Sequence, residues 1–162
     1  MTKPRQVRGL KHAEFSAKGP YSNTKLKGRA AEGIRYQRQV QSRLEPLADR
    51  GYLLNDQWLR YIDTYGTHFC QPDAFLVTDS RVLVVEAKLS LRRLDTAVVQ
   101  LTKLYSPVLE HIFEVPVAMV VAFRHWIRCD EPPIETVDDP ADLLSWPVAR
   151  LREPVGWHHL GA

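Results

Sequence analysis

Residues 73–88 restrict the fold most: two short apolar runs joined by two turn-forming residues. Asp73-Ala74-Phe75-Leu76-Val77-Thr78 reads as one strand and Arg81-Val82-Leu83-Val84-Val85-Glu86-Ala87-Lys88 as the next, with Asp79-Ser80 as the turn. A two-residue turn fixes the register. Thr78 then faces Arg81, and counting outward brings Asp73 opposite Glu86. Side chains alternate along a strand, so Phe75, Val77, Val82 and Val84 share one face and Leu76, Leu83 and Val85 the other. Strands apolar on both faces are covered on both sides, as in an α/β layered structure.

The same register gathers ionisable groups. Opposed residues point to one face with Cβ atoms roughly 4.5–5.5 Å apart. Lys88, two residues past Glu86, points there too. Two carboxylates so placed repel each other unless something compensates. A hard divalent cation would, because it takes oxygen ligands and is commonly held by one or two carboxylates plus a substrate phosphate. The lysine is a candidate for orienting water or binding phosphate. Taken singly, Asp73 reads as a turn-starter after Pro72, and Glu86 and Lys88 as an exposed strand end. The three together, in register behind an apolar core, read as a site.

The remaining elements follow from periodicity. A helix is expected over Gly28–Arg50, with Tyr36, Val40, Leu44 and Leu47 on one face. Glu32 continues that stripe at the N-terminal end. It is either a helix-dipole partner or a group aimed into a site. Tyr52–Asp63 reads as one strand and Thr64–Thr67 as a turn. Leu94–Ile112 reads as a second helix that Pro107 should kink or interrupt. Pro116–Phe123 is an apolar run typical of a buried central strand. Ile134–Val137 reads as a short strand, and Asp139-Pro140 as the start of a short helix. A mixed sheet of about four or five strands is expected.

The chain of 162 residues suits one domain. An apolar content of 44% and a charged content of 25% are those of a globular protein, and no apolar run approaches the ~20 residues of a membrane span. The basic start lacks an apolar stretch, and Cys70 and Cys129 make no disulfide framework. A reduced, cytoplasmic setting is therefore expected, with no membrane partner. His68 near Cys70 lacks a second ligand pair at zinc-site spacing, and His158-His159 reads as part of a solvated tail. Eleven of the 22 basic residues precede Leu44, against two acids, Glu14 and Glu32. Such a segment is either a solvated tail or an arm for a polyanion. The division expected is a basic arm over 1–27, a core over 28–146 and a tail over 147–162.

The order is helix with Glu32, strand, strand with Pro72-Asp73, strand with Glu86-Ala87-Lys88, helix with Gln100 and Tyr105, strand. It resembles the PD-(D/E)XK nuclease superfamily, most closely the RecB-like, Cas4-like and Holliday-junction-resolvase-like branches. The resemblance spans roughly Gly28 to Phe123. It implies a restriction-endonuclease-like α/β core of order αβββαβ, its mixed central sheet flanked by helices. It also implies a metal-dependent deoxyribonuclease using Mg²⁺ or Mn²⁺. Asp73 and Glu86 would bind the metal, with the backbone carbonyl of Ala87 completing the inner shell and Glu32 acting directly or through water. Lys88 would orient the attacking water, and Gln100 would contact substrate or fix Lys88. The arm, chiefly Lys18, Lys25, Lys27, Arg29 and Arg35, would contact DNA phosphates, in a chain acting alone, as a homodimer or in a larger nucleic-acid-processing assembly. The other readings are a DNA-binding module of this fold without turnover, and an assembly protein whose arm docks on a partner.

Overall fold

The computed structural model of the protein describes residues 5–19, 29–125 and 133–158. In chain order these form strand β1 (His12–Phe15), helix α1 (Arg29–Leu44), and strands β2 (Tyr52–Asn55), β3 (Leu59–Asp63), β4 (Gly66–Cys70), β5 (Ala74–Val77) and β6 (Val82–Ser90). Helices α2 (Leu94–Val99) and α3 (Ser106–Phe113) follow, then strands β7 (Val117–His125), β8 (Thr136–Val137) and β9 (Val155–His158). The result is an α/β protein. Among the described residues, one mixed sheet has six strands in the order β2-β5-β6-β7-β9-β8, and a second has three in the order β1-β3-β4. That is larger than the four or five strands expected. The unexpected strands, β9 in this sheet and β1 and β4 in the second, are short and carry little period-2 signal; in β1 only Ala13 is buried.

The β5–β6 hairpin has the register the two-residue turn dictates. Phe75 pairs with Val84 and Ala74 with Val85. The Thr78 N–H donates to the Arg81 carbonyl at 2.9 Å to close the turn. β6 then pairs in parallel with β7, and β7 with β9. Both sheet faces are covered. Phe75, Val82 and Val84 pack with Leu101, Tyr105 and Val108 of the second helical stretch and with Leu59 and Tyr61 of β3. Leu76, Leu83 and Val85 pack with Tyr36, Val40 and Leu44 of α1 and with Leu143, Leu151 and Trp157 near the C-terminus. Fully burying one such aliphatic side chain stabilises the fold by about 1.5–3 kcal/mol.

Several boundaries differ from expectation for identifiable reasons. α1 ends at Leu44, and Glu45–Arg50 continues as a 3-10 turn with Pro46 at its start. The Tyr52–Asp63 segment is two strands in two different sheets. Asp56, with φ of 54°, turns the chain between them. The predicted turn at Thr64–Thr67 is tighter, because β4 already begins at Gly66, where φ is 118°. Residues 5–19 of the expected arm lie along β3 and the second helical stretch. The expected tail supplies β9 to the main sheet.

The α-helical geometry is broken just before Pro107, which lies in the first turn of α3. A π-helical segment, Gln100–Tyr105, joins α2 to α3. A proline leaves the carbonyl four residues earlier without its usual donor. Here that carbonyl belongs to Lys103, and the Val7 N–H donates to it at 2.9 Å.

Candidate active site

The candidate site lies where β5 begins and β6 ends. The strands are antiparallel, so these two points share one end of the sheet, which is also the carboxyl end of the parallel β6–β7 pair. Crevices at such ends are where α/β sheets take ligands. A cavity of about 480 Å³ opens there, lined by Asp73, Glu86, Ala87 and Lys88. Its other walls are Gly33, Ile34 and Gln37 of α1, and Leu89, Ser90, Arg92 and Arg93 beyond the lysine.

The backbone of Asp73 is held by two donors. Gln41 Nε2 donates to its carbonyl at 2.8 Å and the Asp56 N–H at 3.2 Å. The Ala87 N–H donates to Asp73 Oδ2 at 2.7 Å, which ties the carboxylate across to β6. Glu86 is buried. Its Oε1 lies 3.3 Å from Lys88 Nζ, and its Oε2 has no hydrogen-bond partner among the described residues.

The electrostatics follow from that geometry. Burial, followed by the charge of Asp73, pushes the Glu86 carboxyl well above its ordinary range, and Lys88 opposes the shift. Burial also raises Asp73, against the pull of the Ala87 N–H and Lys88. Both acids therefore bind a proton more readily than free carboxyls do. Tyr105 is buried, and its hydroxyl is pushed up first by burial and then by the charges of Glu86 and Asp73. That hydroxyl donates to the Gln71 carbonyl at 3.4 Å.

Asp73, Glu86, Ala87 and Lys88 thus share one cavity. Glu32 does not line it, since α1 presents Gly33, Ile34 and Gln37 there. Gln100 heads the π segment and does not line the cavity either. Its Oε1 is buried without a hydrogen-bond partner among the described residues. Lys18 and Arg35 are exposed and outside the cavity, and Arg29 opens α1. Lys25, Lys27 and Cys129 lie outside the described residues.

Among the described residues, no group of three or more His, Cys, Asp or Glu side chains gathers to hold a metal. Two close carboxylates with an unpartnered oxygen still fit a hard ion that keeps several waters, as Mg²⁺ does. Gln37, Gln41, Asp56, Ser90, Arg92 and Arg93 also build the site, and the sequence reading passes over them. The available signal is the i, i+4 spacing of Gln37 and Gln41, which puts two amides beside the apolar stripe of α1.

No family model matches the chain, and neither a curated protein nor a solved structure matches it.

Proposed function

We propose that the protein is a divalent-metal-dependent deoxyribonuclease with a restriction-endonuclease-like core of the PD-(D/E)XK kind. The observation that carries this reading is the pair Asp73–Glu86 in one cavity, with Glu86 buried, its Oε2 without a hydrogen-bond partner among the described residues and its Oε1 3.3 Å from Lys88. A buried acid left as poorly satisfied as Glu86 is costly, and a site for a cation and a phosphate gives that arrangement a use. Mg²⁺ or Mn²⁺, when bound, supplies charge neutralisation for a phosphoryl oxygen and a water of lowered pKa.

The chain's own residues supply the rest. Asp73 and Glu86 provide carboxylate oxygens and Ala87 its carbonyl. The Ala87 N–H fixes the Asp73 carboxylate. Lys88 donates hydrogen bonds to the attacking water or a phosphate oxygen, from a position set by Glu86 Oε1. The basic N-terminal segment, with Lys18 and Arg35, adds contacts to DNA phosphates that carry no base information.

The test is incubation of the full chain with linear, circular, single-stranded and branched DNA. Cleavage in Mg²⁺ or Mn²⁺ that stops in chelator and in Glu86→Gln is the expected result. No cleavage of any substrate under either metal would remove the reading. DNA binding retained in chelator would then favour a binding module.

A further inference from the structure

Two further features of the cavity wall have no role in holding a metal. One is Gly33, inside α1. Glycine inside a helix is destabilising relative to alanine, so its presence calls for a local reason. Packing supplies none: a Cβ built at Gly33 meets no described atom within 4 Å. The glycine borders open space in the cavity wall, the setting in which a ligand comes close to a backbone.

The other feature is the turn after β6. Ser90 Oγ accepts the Arg92 N–H at 3.0 Å and caps the 3-10 turn Leu91–Arg93. Leu91 is buried in the core beneath it. The turn is therefore pinned from both sides, while Arg92 and Arg93 are exposed at the cavity wall. A strand advances about 6.6 Å in two residues, so Ser90 lies about one nucleotide's backbone step beyond Lys88.

We infer that a single nucleic-acid strand runs through this cavity between Gly33 and the Ser90–Arg93 turn, with Arg92 and Arg93 holding the phosphate next to the one at Asp73, Glu86 and Lys88. The inference rests on the nuclease reading and extends it to the path of the substrate. Arginine suits this position because its guanidinium meets phosphate with paired hydrogen bonds. Gly33 suits it because any side chain there would stand in the strand's way.

The test is binding of a short fluorescein-labelled single-stranded oligonucleotide by anisotropy across a salt series. It is run in chelator, where metal-dependent cleavage cannot consume the probe. Arg92→Ala and Arg93→Ala should each weaken binding about tenfold. Each should also reduce the magnitude of the log–log salt slope by about 0.7. Gly33→Ala should raise the melting temperature by ~2–4 °C. Gly33→Leu should keep the fold by circular dichroism and still weaken binding. Arginine variants with unchanged affinity and slope would overturn the strand path, and so would a Gly33→Leu variant that binds like the wild type or a wild type that does not bind the probe. If the variants lose affinity but no metal supports cleavage, the path stands and the nuclease reading falls. If the wild type cleaves and the variants bind normally, the nuclease reading stands and the path falls.

Discussion

Asp63 and Glu86 are both buried acids in strands, with relative exposures of 2% and 5%, so burial does not distinguish them. Their donors do. Asp63 accepts from the Tyr65 N–H at 2.9 Å, from the Arg8 N–H at 3.2 Å and from His68 Nε2 at 3.0 Å. Burial pushes its carboxyl up, but those hydrogen bonds outweigh it and leave it below the ordinary range. Glu86 has one cation at 3.3 Å, an acid neighbour and one oxygen with no hydrogen-bond partner among the described residues, and its carboxyl is raised. A carboxylate saturated with donors closes a structure. A pair left short of donors is a place for something to bind. The difference separates Asp63, which pins the N-terminal segment to the β3–β4 turn, from the candidate active site.

The comparison is broken most directly by activity. Glu86→Gln or Asp73→Asn should lower metal-dependent cleavage by at least about 100-fold. Asp63→Asn should leave the turnover of folded protein near wild type and act on the melting temperature instead. Equal losses of turnover in Asp63→Asn and Glu86→Gln, with both proteins folded, would erase the distinction. Lys88→Ala should come next, slowing turnover by about 100-fold. A Mn²⁺ titration of its activity should give nearly the wild-type midpoint, because the lysine is not a metal ligand. A large shift in that midpoint would move Lys88 from water orientation to metal binding.

Stability in chelator gives a smaller effect of opposite sign at the two places. Glu86→Gln should raise the stability of the metal-free protein by about 1 kcal/mol, since it removes a poorly satisfied buried acid beside another. Asp63→Asn should lower stability. Urea midpoints of the two variants check both signs.

The pH dependence sharpens the contrast further. Folding raises the proton affinity of Asp73 and Glu86. Above the ordinary carboxylate range, near 4, the folded chain holds protons that the unfolded chain has released. The stability these groups contribute is therefore full below that range and is lost as pH rises through their raised folded values. Asp63 behaves in the opposite sense: its contribution is present above the ordinary range and is lost as pH falls through its lowered folded value. Urea midpoints across pH in chelator should show the loss at high pH, and Mg²⁺ should remove it. A high-pH loss that is unchanged in the Asp73→Asn/Glu86→Gln double variant would assign it to other groups.

The central hairpin is legible in the sequence because a two-residue turn leaves one register, and because Phe75, Val84, Leu76 and Leu83 need cover on both faces. The short strands are less so. Nothing in the loose alternation of Tyr52–Asp63 marks the reversal at Asp56, a residue in left-handed conformation. β1 buries one side chain of four, too few for a period to show. Pro107 marks the place of the irregularity in the second helix, but the pairing of the carbonyl it frees by Val7, far away in the chain, leaves no local trace. In the site, the acids and Lys88 share one cavity at the sheet end. Gln41 and Asp56 act through the Asp73 backbone, and hydrophobic periodicity carries no trace of that contact.

Titration of Mn²⁺ into the metal-free protein by calorimetry, in two buffers of different ionisation enthalpy, reaches the central claim most directly. One ion should bind per chain with release of protons, because folding raises the proton affinity of Asp73 and Glu86. Binding should vanish in Glu86→Gln and persist in Asp63→Asn. An absence of binding, or binding that survives Glu86→Gln unchanged, would contradict the assignment of this pair as a metal centre.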